Sequence, residues 1–193
     1  MPTWSNQVPQ SDAPRAMPLR RTPTNGQLRA AITTPDLIGC PTHFYQGHTV
    51  PCAGDSCKAC SEGVKWTWHG YVGAIMAVGR QHFIFEFTAQ VGDTLKHYRT
   101  LQSTLRGGII TAERMHHRPN GRVMLQITPG DLAQLNLPEP PDITACMAVI
   151  WNLPRETIKG NGRVKDHPAI TIDPDLAIVN RLQREAEAKR NGS

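Results

Sequence analysis

The sequence has no long apolar run and no block that resembles a secretory signal. No stretch approaches the roughly 20 consecutive apolar residues that a membrane-spanning helix requires. The first residues, Met-Pro-Thr-Trp, carry neither the charged nor the apolar block of a signal peptide. We therefore expect no membrane partner and a cytoplasmic location. In a reducing compartment, clustered cysteines are metal ligands more often than disulfide partners.

Aromatic residues are also scarce, at 6% of the chain, whereas glycine and proline are plentiful, with 16 of each. The prolines are unevenly spread, and five of them lie within residues 1–33 among Ser, Thr, Asn and Gln. This composition predicts a disordered, basic, proline-rich arm over residues 1–33, or a plain spacer of the same extent. The formal net charge of +5 favours anionic partners without requiring them.

Hydrophobic periodicity predicts a mainly β (α+β) domain over residues 34–128. Strict alternation places Phe83, Phe85 and Phe87 on one face of a strand, and we expect that face to be core. An Asn-Gly pair near residue 120 predicts a hairpin turn. The predicted elements are a strand within 37–50 that a cysteine-rich loop interrupts, strands at 65–78 and 82–88, a helix at 89–101, and strands at 106–115 and 122–128.

Helical segments are predicted beyond residue 128. We predict a helix and loop extension over residues 129–172. Asp142 is placed to cap a helix there, and Pro154 is placed to end it. Residues 173–193 predict a C-terminal helix, with Asp173 at the N-cap position and Pro174 in the first turn. Its apolar stripe could dock a protein partner and consists of Leu176, Val179, Leu182 and Ala186.

Three cysteines, Cys52, Cys57 and Cys60, are the most specific feature of the sequence. Their C-x4-C-x2-C spacing, with a proline and a glycine nearby to form tight turns, can bring three thiolates around one ion. Zinc prefers four such ligands at tetrahedral positions. We therefore predict a structural Zn2+ site without redox or hydrolytic chemistry. The candidates for its fourth ligand, in order of preference, are His43, Cys40 and His48.

Enzymatic interpretations fit the same region less well. A nucleobase deaminase would place His-x-Glu before Pro-Cys-x-x-Cys, but here Pro51-Cys52 is followed by a four-residue gap and no His-x-Glu precedes it. A redox C-x-x-C motif has no need of a third cysteine. A metal-dependent nuclease of the His-Asn-His type could use His116 and His117, but prolines at 138–141 interrupt the helix that it would need next. We therefore predict no catalytic residues and keep the nuclease as an alternative.

Aromatic and basic side chains on the predicted strands suit single-stranded nucleic acid. Bases stack on aromatic faces while Lys and Arg follow the phosphates, and this contact tolerates any base sequence. Trp66 and Trp68 share a face with Val72 and Met76, however, and could instead belong to the core. The candidate binding residues are Lys65, Trp66, Trp68, His69, Tyr71, Arg80, Arg106, Arg114, Arg118 and Arg122.

The layout of these features resembles the zinc-containing OB-fold helix-destabilising proteins of bacteriophages. The shared order is a first strand, a loop with one histidine and three cysteines that ends in Cys57-x2-Cys60, and then strands with a single helix before the last pair. The resemblance covers residues 36–128 and implies a small OB-like antiparallel β-barrel with an inserted zinc loop. It also implies cooperative binding of single-stranded DNA in replication or recombination. The chain lacks that family's acidic C-terminal tail, since residues 173–193 contain four acidic and four basic groups.

The leading hypothesis is a non-enzymatic protein that binds single-stranded nucleic acid, with DNA favoured, and that holds a structural zinc. The first alternative is a zinc-stabilised protein-interaction adaptor that uses the C-terminal helix. The second is the metal-dependent nuclease.

Overall fold

The computed structural model describes residues 17–151, which form one sheet of eight strands together with four helices. The prediction of mainly β structure is confirmed for these residues. The strands are β1 (Leu19–Arg20), β2 (Gln27–Ile32), β3 (Ile38–Tyr45), β4 (His48–Pro51), β5 (Trp66–Met76), β6 (His82–Thr88), β7 (Gly108–Arg114) and β8 (Val123–Pro129). The helices are α1 (Lys58–Ser61), α2 (Ala89–Gln102), α3 (Leu132–Leu135) and α4 (Ile143–Ile150), with short 3-10 turns at Gly54–Ser56 and Met115–His117.

β5 is the central strand, and its two edges are used differently. β6 pairs antiparallel along one edge, whereas the other edge pairs antiparallel first with β2 and then with β3. The last pair of β2 with β5 is Ile32–Ala74, and the first pair of β3 with β5 is Ile38–Tyr71. Between these two pairs the β2–β3 segment advances six residues, whereas β5 advances only three. The extra residues between β2 and β3 therefore bulge, and a bulge bends and twists the sheet.

The sheet is open, so the closed OB-like barrel that the sequence predicted is not formed. The strand order is β1-β6-β5-β2-β7-β8, with β3 and β4 attached beside β5, and no pairing among residues 17–151 joins β8 to β6. The reason lies at the edge of β6. Leu19 and Arg20 pair in parallel with Ile84 and Phe85 and occupy the edge that a closing strand would need.

Residues 17–33 are not a disordered arm, so the prediction for 1–33 is wrong in this part. β2 lies between β5 and β7 in the middle of the sheet, and its Leu28, Ala30 and Ile32 are buried. The composition argument failed because the last proline of the segment is Pro23, and the strand begins only after it. Residues 1–16 lie outside the described part of the chain.

The strand predicted within 37–50 is in fact a hairpin. β3 and β4 pair antiparallel across Gln46 and Gly47, whose φ angles are +50° and +85°. Two consecutive positive φ angles are typical of a type I′ turn, whose twist matches that of the flanking strands. The cysteine-rich loop therefore follows the hairpin and does not interrupt a single strand.

Both faces of the sheet carry buried apolar clusters. The inner face, defined by Phe83, Phe85 and Phe87, packs against α2 through Val91 and Leu95, and the prediction that the phenylalanines are core is confirmed. The outer face is the opposite side of the same strands, and α4 covers part of it. The buried cluster there consists of Tyr71, Ile84, Ile143 and Met147.

The helix predicted after Asp142 is present as α4. The Asp142 carboxylate accepts a hydrogen bond from the backbone N–H of Ala145 at 2.9 Å, which is the expected N-cap contact. Among residues 17–151, no helix combines the length and the apolar character needed to cross a membrane. The predicted stop at Pro154, the loop to residue 172 and the helix at 173–193 lie outside the described residues.

Candidate metal centre and nucleic-acid interface

Four ligand side chains converge where the β3–β4 hairpin meets the cysteine-rich loop. The loop is held against the sheet because the backbone N–H of Cys52 donates to the Pro41 carbonyl at 2.9 Å. Gly54, with φ at +66°, then lets the chain turn sharply towards α1. The four ligands are His43 on β3, Cys52 just after β4, Cys57 just before α1 and Cys60 within α1.

The spacing of the ligand atoms suits a tetrahedral ion. All four atoms lie within 4.8 Å of one another. The Sγ atoms of Cys52 and Cys60 are 3.6 Å apart, and Sγ of Cys60 lies 3.3 Å from Nε2 of His43. Zinc bonds of about 2.3 Å to sulfur and about 2.1 Å to nitrogen imply S···S edges of about 3.8 Å and S···N edges of about 3.6 Å. The cluster can therefore hold a metal ion after only small side-chain shifts.

The His43 ring is oriented by a second partner. Its Nδ1 lies 3.0 Å from the Val64 carbonyl, to which it donates, and this leaves the lone pair of Nε2 directed at the cysteines. The Val64 backbone is itself held by a hydrogen bond from its N–H to the Ala59 carbonyl at 2.9 Å. Metal-binding histidines usually have such a carbonyl or carboxylate behind them, because it fixes both the tautomer and the ring orientation.

The other candidates for the fourth ligand point elsewhere. Cys40 and His43 are three residues apart on β3, so their side chains lie on opposite faces of the sheet. Cys40 packs against the outer-face cluster, where burial, with smaller contributions from Cys52 and Glu86, raises its pKa to about 12 and keeps it a neutral thiol. His48 is exposed, with its Nδ1 at 3.1 Å from the Gln46 carbonyl. The structure therefore favours His43.

Two of the clustered thiols, Cys57 and Cys60, ionise unequally. Burial opposes ionisation of Cys57, but hydrogen bonds from the backbone at Cys60 and Ala53 and from the neighbouring thiols outweigh it and lower its pKa to about 6. Burial together with Cys52 and Cys57 raises the pKa of Cys60 to about 12. Negative charge on neighbouring sulfurs opposes the ionisation of Cys60. A divalent cation bound between the sulfurs would offset this repulsion, since metal binding and thiol deprotonation are coupled. Four protein ligands complete a tetrahedral shell, as in structural sites.

Trp68 packs against the core, which favours the core alternative over its assignment as a base-stacking residue. Its indole packs against the inner-face cluster in a space left by three glycines. A Cβ added to Gly39 or Gly70 would lie less than 3.0 Å from the indole, and one added to Gly92 would lie at 3.0 Å. The Lys96 ammonium of α2 lies 5.5 Å from the ring centroid. The half-buried indole is thus packed by the protein's own residues, which argues against a role in base stacking.

Tyr71 lies on the opposite face of β5 from Trp66 and Trp68, so the three rings do not form one surface. Successive side chains of a strand alternate between faces, which separates residue 71 from residues 66 and 68. Tyr71 is 2% exposed, and its ring meets that of Trp151 edge-on at a centroid distance of 5.6 Å. Its assignment to nucleic acid is therefore wrong. Trp66 is half-buried beside its cross-strand partner His43.

Three arginines assigned to phosphates are instead engaged with backbone carbonyls. These bonds tie the segment after β8 and the segment before β2 to the sheet, which accounts for the arginines without nucleic acid. The acceptors are Leu135 and Asn136 for Arg80, Thr33, Leu137 and Pro138 for Arg106, and Thr22 and Gly121 for Arg114.

Lys65, Arg118 and Arg122 are exposed but do not share one surface. Lys65 directly precedes β5, at the end of the sheet that carries the metal centre. The two arginines lie in the β7–β8 connection, at the far end, where Glu113 pairs with Gln27. As phosphate contacts they stay predictions, but they cannot belong to a single small site.

The outer face also carries a buried carboxylate, Glu86, with two partners. Its Oε1 lies 2.8 Å from Nη2 of Arg21 and 2.9 Å from Nδ1 of His69. Burial alone would raise the pKa of Glu86, but the hydrogen bonds from His69 and Arg21 outweigh it and lower the pKa. Nδ1 of His69 is also 3.2 Å from Oγ1 of Thr42. His69, which the sequence suggested as part of the nucleic-acid surface, is therefore a structural partner of Glu86.

Glu86→Gln should make the stability of the protein less sensitive to acid. Because the pKa of Glu86 in the folded protein is below its ordinary value of 4.5, the ionised carboxylate stabilises the fold above that pH. This stabilisation is lost as the pH falls through the folded pKa. We expect the substitution to cost about 2 kcal/mol at neutral pH, as for a hydrogen bond to a charged group, and less at lower pH.

Denaturant unfolding of both proteins between about pH 3 and pH 7 measures the difference in the free energy of unfolding. The cluster of His43 and the three cysteines is the same in both proteins, so any sensitivity of this cluster to acid cancels. Glu139→Gln, at an exposed carboxylate, is the matched control and should show no such trend. A difference between wild type and Glu86→Gln that stayed constant over this range would contradict the assigned role.

Sequence reasoning missed Phe44 and Arg21. Phe44 is 71% exposed on the outer side of β3, opposite Thr49 of β4. Nη2 of Arg21 donates to Oγ1 of Thr49 at 3.2 Å, which brings the guanidinium to the same strand pair. The sequence did indicate the position of Phe44. Successive side chains of a strand point to opposite faces, so a strand that directs His43 to the cysteines directs residue 44 to the other face. Nothing in the sequence indicated the position of Arg21, since it lay in the supposed arm.

His116 and His117 are exposed in the β7–β8 connection, with φ angles of +57° and +51°. Within residues 17–151, the cluster at His43 is the only group of three or more side chains placed to hold a metal ion. In this part of the chain the two histidines therefore have no further ligands gathered around them, and the nuclease alternative gains no support.

No protein-family model, no curated protein and no solved structure matches this chain.

Proposed function

We propose that the metal centre holds Zn2+ and that the ion is structural. Three thiolates and one imidazole in a tetrahedral arrangement form a soft ligand set that favours zinc over hard cations. The carbonyl of Val64 behind His43 supports this assignment, because it directs Nε2 to the cysteines. An ion at this point would tie the cysteine-rich loop to β3.

We further infer that the domain is a variant of the OB fold that is open at the edge of β6. The support is the order of elements, which runs from β2–β3 through β5 and β6 to α2 and then to the pair β7 and β8. OB folds are partly open Greek-key barrels that bind oligonucleotides on their second and third strands and on neighbouring loops. The corresponding surface here is the outer face of β5 and β6 with the β3–β4 hairpin beside it.

We propose that this surface binds single-stranded nucleic acid, with DNA favoured, and the observation that carries the proposal is Phe44. Its ring is 71% exposed, whereas Phe83, Phe85 and Phe87 are each at most 5% exposed. Helix α4 covers the outer face around Tyr71, so the end at Phe44 is the part left open. A base that stacks on an aromatic ring gains about 1–3 kcal/mol.

Two cations flank Phe44 and could follow the phosphates. The Arg21 side chain is 53% exposed. Glu86 and Thr49 both accept from its Nη2, which carries two of the five N–H donors of the guanidinium. Lys65 is exposed, and continuation of the register that pairs His43 with Trp66 sets it opposite Phe44. An exposed ring between cations suits binding without sequence preference. Replication or recombination, which the phage resemblance implies, stays a prediction.

Phe44→Ala should weaken binding to a labelled oligo-dT by about tenfold or more, because one stacking contact of about 1–3 kcal/mol is lost. Fluorescence anisotropy at low salt measures the affinity.

Lys65→Ala should make the binding constant less dependent on salt. The slope of log K against log salt concentration should be smaller by about 0.7, which corresponds to one lost phosphate contact on a single strand.

Leu101→Ala is the matched control, since Leu101 is also exposed, at 66%, but lies on α2 on the other side of the sheet. It should leave the affinity unchanged. Failure of the wild-type protein to bind oligo-dT at low salt would overturn the proposed function. Equal affinities for wild type and Phe44→Ala, with both proteins folded by circular dichroism, would exclude this surface.

A further inference from the structure

β8 is an edge strand whose only feature that discourages pairing is a proline at its last position, Pro129. It is seven residues long, from Val123 to Pro129, and contains no charged side chain. Its register with β7 is unbroken from the pair Gly108–Pro129 to the pair Arg114–Val123, so no bulge twists it away. Natural edges are usually short, charged, bulged or covered, because unpaired N–H and C=O groups attract other strands.

The outward-pointing backbone groups of β8 belong to Val123, Leu125 and Ile127. Hydrogen bonds from Met115 N–H to the Arg122 carbonyl and from Gly130 N–H to the Gly107 carbonyl continue the β7–β8 register at either end. Bonded and non-bonded pairs alternate in an antiparallel ladder, so the even-numbered residues of β8 bond to β7. The odd-numbered residues face away, and within residues 17–151 β8 has no other strand beside it.

We propose that β8 pairs with β8 of a second copy of this chain, antiparallel, to form a two-fold symmetric dimer with a continuous sheet. One register uses all the outward groups: Leu125 lies opposite Leu125 of the other copy, and Val123 lies opposite Ile127. Met124 then lies opposite Gln126 on the outer face. The interface uses the same patch on both copies, so it closes at the dimer and does not propagate.

Two observations favour a second copy as the occupant. First, β8 begins just after Arg122 and is followed closely by Asp131, so antiparallel self-pairing brings the basic end of one strand beside the acidic end of the other. Second, Val123, Leu125 and Ile127 are only partly buried against the inner-face cluster, and the facing strand would bring the same three apolar side chains beside them. The pair would thus bury apolar surface as well as satisfy the backbone.

The double substitution Met124→Lys with Gln126→Lys should separate the dimer. Met124 is 47% exposed and Gln126 is exposed, so the fold tolerates lysine at both positions. In the proposed register the change sets lysine opposite lysine twice, which should raise the dimer dissociation constant by about tenfold or more. Sedimentation velocity of the full chain without nucleic acid, over a range of protein concentrations, should show wild type at twice the 21.3 kDa of the chain.

A charge-reversal pair tests the register itself. The variant with Met124→Glu and Gln126→Glu should also be monomeric alone, but an equimolar mixture of the acidic and basic variants should form a heterodimer. The control, Thr94→Lys with Thr100→Lys, adds the same charge at exposed positions of α2, outside β8, and should stay dimeric. A monomeric wild type at about 100 µM, or a dimer that all of these variants leave intact, would overturn the proposal.

Discussion

We expect Cys60→Ser to release the proposed zinc ion and to lower the melting temperature by roughly 10–20 °C. Sγ of Cys60 lies 3.6 Å from Sγ of Cys52 and 3.3 Å from Nε2 of His43, so its loss breaks the cluster between two other ligands. An ion that binds only the folded protein, at about a thousand times its dissociation constant, adds about 4 kcal/mol to the free energy of unfolding. For a domain of this size, that free energy corresponds to the shift given.

Metal content and thermal unfolding together measure this effect. Elemental analysis should find one zinc per chain in the wild type and none in Cys60→Ser, and chelation should lower the melting temperature of the wild type only. Cobalt(II) in place of zinc gives a geometric test, because a tetrahedral ion with thiolate ligands absorbs visible light in a characteristic way. Cys60→Ser should lose that absorption.

Cys40 and Cys146 provide matched controls, since both are partly buried against the outer-face cluster and neither belongs to the metal centre. Cys40→Ser and Cys146→Ser should each keep one ion and the cobalt absorption. Retention of the ion at full stability in Cys60→Ser would contradict the structural role. Loss of the ion in Cys40→Ser would show that the fourth ligand is Cys40 and not His43.

The sequence predicted three ligands and left the fourth open for a physical reason. Cys52, Cys57 and Cys60 are close along the chain, so local spacing alone brings them together. His43 and Cys40 are both near enough to reach, and what separates them is which face of β3 each occupies. That depends on the pairing of β3 with β4 and β5, which no local pattern encodes.

The same limit explains what was missed in the fold. Local alternation and helical spacing predicted β6, α2 and the cap of α4 closely. Alternation predicted core only for the face of β6 with the three phenylalanines, yet Ile84 and Glu86 on the other face are also buried, because α4 packs near Ile84 and Arg21 pairs with Glu86. β1 is two residues long and has no pattern of its own, but it decides that the sheet stays open.

Trp68→Ala should lower the free energy of unfolding by about 3–5 kcal/mol, although the sequence made Trp68 a candidate for base stacking as well as for the core. The sequence pattern is compatible with a role in base stacking and with a place in the core. In either case residues 66 and 68 lie on the same face as the apolar Val72 and Met76. The pocket for the indole is made by Gly39, Gly70 and Gly92, which come from three different elements, so only the folded chain reveals it. Urea unfolding monitored by circular dichroism measures the loss.

A substitution at Gly92 separates lost packing from other causes. In the wild type an alanine Cβ at Gly92 would sit 3.0 Å from the indole, so the gain of helix propensity, about 1 kcal/mol, is opposed by crowding. Once Trp68→Ala has removed the indole, Gly92→Ala should stabilise α2 by the full amount, and the two effects should be non-additive by about 1 kcal/mol. Additive effects would show that the indole does not occupy this space. At temperatures where it is folded, Trp68→Ala should still bind oligo-dT like wild type, whereas Phe44→Ala should not, because the ring of Phe44 is 71% exposed and the indole of Trp68 packs against the inner-face cluster.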